Sequence, residues 1–359
     1  MHPLATATAV SEMAQRLATR RAIGLDTEFL RERTYRAQLC LLQVSDAAQA
    51  VCIDPIAVPD LAALAPVFGD PGVIKVLHAS RQDLEVLLPA VGLVRPVFDT
   101  QIAAALAGEP AQIGYGELVR RILGHELPKA HTRTDWSRRP LSPEQLEYAL
   151  DDVRHLLALK DALTERLERL GRLPWLAEEL CALQDADNLR VQPEDAWRRL
   201  KGLSGLDPAR QRLTRLLAAW RERRALQRDR PRGWILEDAV LREIVLRVPR
   251  SVQALSAIPD MPASVIEHCA VDLLECIRAA EIPDPPPATA ARRRPDPLRD
   301  ARVRKLAAVQ QAAASELGLS PEVLVTRREL EMLAEGRTDV PVLSGWRRTA
   351  LGERLLAEL

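Results

Sequence analysis

No apolar run in the 359-residue chain approaches the roughly eighteen residues that a membrane-spanning helix needs, which excludes a helical membrane protein. The N-terminal stretch MHPLATATAVSEMAQRL lacks a basic segment followed by an apolar one, so no secretory signal is expected. Cysteine is scarce. Cys40, Cys52, Cys181, Cys269 and Cys276 form no CxxC pair and leave one over, which suits a reducing cytoplasm. The Cys/His spacing of a zinc site is missing, as is GxxxxGK[ST]. Gly114-Tyr115-Gly116 lacks the third glycine of a dinucleotide loop, so no nucleotide cofactor is expected. Lysine supplies only 5 of the 50 basic residues, a bias that a GC-rich genome or guanidinium chemistry would each produce. Net charge is absent too: 50 basic and 50 acidic residues cancel, which excludes a strong whole-molecule attraction to nucleic acid or membrane.

What is present starts with a 47% hydrophobic composition, too high for a disordered chain, and a length that predicts two or three domains. The zero charge divides unevenly: residues 1–185 carry net −5 and residues 186–359 net +5. Such separation fits an acidic site joined to a basic tether. Short apolar runs at 22–29, 37–45, 50–54, 73–79 and 96–99 read as strands, with helix-period segments among the later ones. That order predicts an α/β domain with a mixed sheet. From about residue 115 the pattern is helical, with a long helix expected from Pro143 to about residue 169 behind a Ser142/Gln145 capping box. Residues 282–297 hold six prolines and the run Arg292–Arg294, a linker composition. Shifted by 89 positions, LAAWRERRA (217–225) lies on LAAVQQAAA (306–314), and Ile235, Leu241 and Ile244 fall on Leu324, Leu330 and Leu333. Either alanine-leucine helices align by chance or one helical module occurs twice.

Three places could carry chemistry. Asp26 and Glu28 in GLDTEF share one face of a strand, because the side-chain period is two. Two carboxylates at the end of an apolar strand repel unless a cation or solvent intervenes; an exposed strand end is the plain alternative. Asp83 stands in the first turn of a helix after a strand, where it either serves a site or complements the helix dipole. Tyr148 and Asp152, four apart, share a helix face and either address one site or form a half-buried ring beside a solvated acid. Taken together, four carboxylates form an oxygen-only set suited to hard divalent ions. Two such ions about 4 Å apart can activate a water and stabilise a leaving oxygen, the logic of phosphodiester hydrolysis.

At these residues the sequence resembles the DEDD exonuclease superfamily, whose ribonuclease H-like fold carries Asp-x-Glu on its first strand. Asp26 and Glu28 match that motif, Asp83 the second and Asp152 the third. Tyr148 four residues before Asp152 resembles the tyrosine branch; the histidine branch would have His where Glu147 stands. DTEFLRERTYRAQLCLLQ, LHASRQDLEVL, FDTQIAAAL, RTDWSRRPL and YALDDVRHLL are together similar to the bacterial ribonuclease D family, and WRERRALQRDRPRGWIL resembles an HRDC domain.

The resemblance implies a ribonuclease H-like exonuclease domain over 1–185, a helical connector over 186–206 and an HRDC domain over 207–281. It further implies a Pro/Arg-rich linker over 282–299 and a second, divergent HRDC-like domain over 300–359. Asp26, Glu28, Asp83 and Asp152 would bind two Mg or Mn ions, and Tyr148 would orient the attacking water. The products would be 5′-mononucleotides, released from the free 3′ end of RNA such as precursor tRNA, by a cytoplasmic monomer. Thr27, Phe29, His78, Arg133, Arg138 and Arg139 are the candidate substrate contacts. Phe29 would wedge a base or fill a core, and His78 would face the site or close a strand. Trp136 would stack or pack, and Arg31, Arg33 and Arg36 would guide RNA or form a solvated run. The helical modules would hold RNA away from the catalytic centre, with Arg292–Arg294 adding phosphate contacts. A DNA exonuclease would use the same acids, because only contacts to the 2′-OH discriminate. A non-catalytic scaffold is the third reading, against which the complete acid set stands.

Overall fold

Alternating Val, Ile and Leu between turn residues produces five strands, and the computed structural model places them in one sheet. It describes residues 2–128, 134–201, 203, 205–281 and 297–359. Helix α1 (Ala7–Ala18) precedes β1 (Ala22–Leu30), β2 (Gln38–Ser45) and β3 (Ala50–Ile53); α2 (Ala65–Gly69), β4 (Ile74–Leu77), α3 (Arg81–Val91), β5 (Val97–Asp99) and α4 (Thr100–Leu106) follow. The sheet order is β3-β2-β1-β4-β5. Strands β1, β4 and β5 run parallel, whereas β2 and β3 are antiparallel, so the sheet is mixed, as expected. Each expected strand is present within two residues of its predicted ends.

The helices α5 (Tyr115–Leu123), α6 (Pro143–Arg154), α7 (Leu156–Arg169) and α8 (Leu173–Cys181) complete the part of the chain that builds the site. The sheet divides its side chains between two cores. Ile53 joins a large cluster with Ile23, Leu25, Val76 and Leu159, while its neighbour Cys52 faces a smaller one with Trp136, Leu146 and Leu150. The single helix expected over 143–169 is two helices, broken at His155. Side chains take over the backbone groups that would continue it. Tyr115 Oη donates to the Asp151 carbonyl (3.1 Å) and accepts from the His155 amide (3.2 Å), and Ser45 Oγ donates to the Val153 carbonyl (2.8 Å). Gly24 makes room for that arrangement: a Cβ there would collide with Ser45 Oγ and lie 3.2 Å from the Val153 oxygen.

The chain forms two units. One comprises Met1–Leu30, Leu39–Arg190 and Asp296–Leu359; the other Arg31–Gln38 and Val191–Pro295. After the short α9 (Ala186–Leu189), the second unit contains α10 (Pro208–Arg228), α11 (Arg232–Ile235), α12 (Asp238–Arg247), α13 (Val252–Ser256) and α14 (Ala263–Glu281). Pro231 caps the entry to α11. These helices enclose their own core of Leu217, Trp220, Leu241, Ile244, Leu273 and Ile277.

Helices α15 (Pro297–Leu317), α16 (Pro321–Leu324) and α17 (Arg327–Ala334) each begin 89 positions after α10, α11 and α12. All six apolar residues matched at that offset are buried. The resemblance ends there. Residues 300–359 do not make a core of their own: Leu306, Leu330, Leu333 and Leu355 join the large cluster of the sheet unit. Trp346 stacks on Trp175 of α8 (4.5 Å, 13°), its Nε1 donates to Glu179 (2.7 Å) and its amide to Glu178 (3.0 Å). Gly108, at φ +97, lets the two chain segments meet; a Cβ there would lie 2.8 Å from the Gly318 oxygen. The expected linker lies largely outside the described residues, and α15 already begins at Pro297 within its range.

Candidate active site

Strand β1 is the central strand, and its register with β4 ends at Gly24↔Val76. Asp26 and Glu28 therefore stand in β1 beyond its stretch paired with β4, at the carboxyl end of parallel strands where open α/β sheets bind ligands. Asp83 arrives by a sharp reversal after β4, through Ala79 at φ 54, into the first turn of α3. Asp99 fixes that reversal: its carboxylate accepts from the Ala79 amide (3.2 Å), the Ser80 amide (2.7 Å) and Ser80 Oγ (2.8 Å). It also caps α4 through the Gln101 and Ile102 amides. Asp152 and Tyr148 ride on α6, which starts at the expected capping box.

One oxygen each from Asp26, Glu28 and Asp152 lies within 4.8 Å of the others. Asp83 is not in that tight group. Its Oδ1 accepts from Thr27 Oγ1 at 2.5 Å, and only its field reaches the other acids. Burial, then the neighbouring charges of Asp152 and Asp83, push Glu28 up to about 8. Burial and the same kind of repulsion raise Asp26 well above the ordinary range. Asp152 rises to about 7 through burial, opposed by the hydrogen bond from Tyr148. Asp83 rises to about 6 through burial, opposed by the Thr27 hydroxyl. Among the described residues none of these four acids has a Lys or Arg ion-pair partner. Oxygen donors gathered without a compensating cation fit a divalent metal and fit zinc poorly.

Tyr148 is half-buried, and its hydroxyl donates to Asp152. Burial and the surrounding carboxylates raise its pKa, so the phenol stays protonated. Trp136, 6% exposed, lies beside Tyr148 with ring centroids 6.2 Å apart and 27° between planes; it packs and is not free to stack on a base. Beside Tyr148 and Asp152 opens a cleft of about 460 Å³, also lined by Tyr115, Glu117, Arg120 and Glu126.

The expected substrate contacts part company here. Thr27 is buried and engaged with Asp83. Phe29 is half-buried and, among the described residues, packs against none of the hydrophobic clusters. Arg138 is exposed beside Asp135 (3.1 Å). Two expectations need correction. Both ring nitrogens of His78 are taken, Nδ1 with Thr100 Oγ1 (2.9 Å) and Nε2 with the Ile113 carbonyl (3.0 Å), so it ties β4 to α4. Arg139 forks onto Asp54 (2.6 and 2.7 Å) and donates to the Cys40 and Trp136 carbonyls, leaving no donor face for phosphate. Arg133 lies outside the described residues, as do Arg292–Arg294. Arg36 is bound within the helical unit. Sequence reasoning missed Tyr115, which sits in the Gly-Tyr-Gly stretch and sets the end of α6. It also missed Asp99, although a strand-ending Asp before Thr-Gln has the pattern of a helix cap.

Residues 1–168 match the family described as 3′-5′ exonuclease, and residues 210–277 match the HRDC domain. The chain is 39% identical over 352 residues to ribonuclease D of Gluconacetobacter diazotrophicus, covering 96% of this chain and 89% of the relative. Its identity to ribonuclease D of Xanthomonas oryzae pv. oryzae is 40%, covering 96% of each. The crystal structure of Escherichia coli RNase D, an exoribonuclease involved in structured RNA processing, superposes with a TM-score of 0.85 at 30% identity. That match covers 100% of this chain and 99% of the other. With an acid cluster on the central strand beyond its pairing with β4, and with that likeness along nearly its whole length, the chain belongs to the ribonuclease D family of metal-dependent 3′-5′ exoribonucleases.

Proposed function

We propose that Asp26, Glu28, Asp83 and Asp152 hold two Mg or Mn ions around the last phosphodiester of an RNA 3′ end, and that the products are 5′-mononucleotides. The observation that carries this reading is the set of three carboxylates within 4.8 Å, held protonation-prone by burial and mutual repulsion, with no Lys or Arg ion-pair partner among the described residues. Bound divalent ions supply an activated water and charge stabilisation for the departing oxygen. Asp83 joins by turning its second oxygen inward while Thr27 keeps the first. Tyr148, a protonated donor beside Asp152, positions the attacking water and does not act as its base. Phe29, which among the described residues joins no hydrophobic cluster, wedges against the terminal base, and exposed Arg138 contacts phosphate.

Precursor tRNA and other structured small RNAs are the substrates we propose, in line with the structured RNA processing ascribed to the Escherichia coli relative. The working unit is a cytoplasmic monomer without a nucleotide cofactor. Residues 1–185 form the exonuclease domain, 186–206 a connector, 207–281 the first HRDC domain and 282–299 a linker. Residues 300–359 form a second HRDC-like module, a reading that the shared 89-residue spacing of three helix starts supports.

A 3′-labelled RNA and its DNA counterpart, incubated with Mg²⁺, Mn²⁺ or EDTA, test polarity, sugar preference and metal need together. Asp26→Asn, Asp83→Ala and Asp152→Asn should each cost several kcal/mol of barrier, about a thousandfold in kcat. Tyr148→Phe should cost about tenfold, the worth of one hydrogen bond. Aspartate variants that kept the wild-type rate with Mg²⁺ would remove the metal assignment.

A further inference from the structure

Gln43, within β2, is 0% exposed, and neither the nitrogen nor the oxygen of its side-chain amide has a hydrogen-bond partner among the described residues. A buried amide left unpaired bears the whole cost of its desolvation, so its place in the fold needs a reason. Strand β2 neighbours β1 in the sheet. Residues 31–37 between them are too few for the crossover that a parallel pair needs, so the two strands run antiparallel. A Cβ on Gly24 would collide with Ser45 Oγ, so Gly24 and Ser45 stand opposite each other on one face. Two residues onward along β1 is Asp26, and two residues back along β2 is Gln43. These side chains are therefore cross-strand neighbours on that same face, within reach of each other. On its other side Gln43 pairs with Cys52 of β3.

Among the neighbours of Gln43, Asp26 has polar capacity to spare. Leu41 and Cys52 belong to the smaller apolar cluster with Leu146, Ala149 and Leu150 of α6, the helix packed over β1 and β3. Ser45 Oγ already donates to the Val153 carbonyl (2.8 Å). Burial raises the Cys52 thiol to about 12, Arg154 opposes that rise, and the charges of Asp26 and Glu28 add to it. The acids are thus felt along this row across three strands. We propose that Gln43 is a positioning residue for the metal site: its Nε2–H donates to one oxygen of the Asp26 carboxylate and aims the other at a divalent ion. The inference rests on the metal-dependent reading above. A metal-bound carboxylate keeps lone pairs for such a donor, and outer partners of this kind set both the orientation and the affinity of a ligand. Because Gln43 sits within a strand, the donor comes from a rigid element.

The test is Gln43→Met in the full chain, which keeps the length of the side chain and removes the amide. Mn²⁺ affinity is read by isothermal titration calorimetry, and thermal unfolding is read separately in EDTA. Mn²⁺ should bind about 10–100-fold more weakly. The metal-free variant should melt at or above the wild-type temperature, because no unpaired amide remains to be buried. A residue that only packs would not separate the two readouts in this way. Cys52→Ala, on the opposite flank of Gln43, should leave Mn²⁺ affinity unchanged; a loss equal to that of Gln43→Met would overturn the assignment. Wild-type Mn²⁺ affinity in Gln43→Met would overturn it as well. So would a Gln43→Met chain that melts lower or fails to fold, since the amide would then serve the fold and not the site. A wild type that binds no Mn²⁺ would instead overturn the metal reading itself.

Discussion

The two helical modules begin alike and end differently. Helices α10 to α12 and α15 to α17 start at one offset and bury matching residues, Ile244 with Leu333 among them. The first module continues into α14, a 19-residue helix that closes its own core. The second ends instead in a short turn over 341–343 and a continuous 13-residue helical stretch over 345–357, wound as a π-helix in its middle, and lends its apolar face to the sheet unit. A three-helix fragment cannot bury its hydrophobic stripe alone, so it must be completed, either by another helix or by another core. Apolar spacing within a module is thus a poor guide to autonomy. What decides is whether the last helix is long enough to cover the first.

The largest test of that difference is truncation. Ending the chain at residue 281 removes Leu306, Leu330, Leu333 and Leu355 from the large cluster and uncovers Trp175. The sheet unit should then lose its cooperative unfolding transition and its activity on a trinucleotide, although every proposed catalytic residue remains. Circular dichroism and a hydrolysis assay check this. A folded, active product would show the second module to be an appendage after all.

A finer cut compares equivalent positions. Leu333→Ala and Ile244→Ala each remove a fully buried side chain, at a cost of about 2–5 kcal/mol. Calorimetry should register the first as a lower transition of the sheet unit and the second as a lower transition of the helical unit. If both substitutions moved the same transition, the two cores would not be independent.

The same contrast explains what was legible in the sequence. The strands, α3 and the starts of α6 and α10 could be read because period, capping residues and prolines act locally. The site acids could be read because their spacing follows local periods: Asp26 and Glu28 alternate on one strand, Asp83 opens a helix, and Asp152 stands one turn after Tyr148. The break at His155 could not, since it depends on Tyr115 and Ser45 reaching in from distant segments. Nor could the fates of His78 and Arg139, whose hydrogen-bonding capacity is consumed by Thr100, Ile113 and Asp54. Even the zero net charge misleads as a sum. Buried acids in the sheet unit hold protons at neutral pH, so the formal count overstates their negative charge.

That proton retention supplies the smallest and most selective test. Glu28, Asp152 and Asp83 have folded values of about 8, 7 and 6, against roughly 4 in an unfolded chain. Between those limits the folded state binds more protons than the unfolded one, so metal-free stability falls as pH rises from about 4 to 8. In the helical unit the resolved carboxylate shifts go the other way. Backbone amides lower Glu194 and Asp207, so its stability weakens only as acid is added. A divalent ion should displace the retained protons and therefore stabilise the sheet unit more at pH 8 than at pH 5. At about a hundred times its Kd it contributes about 2.7 kcal/mol, a rise in Tm of roughly 5–10 °C. Only the transition that includes residues 296–359 should move. A Mn²⁺ titration in the calorimeter that shifted the helical unit instead would contradict both the site and the division of the modules.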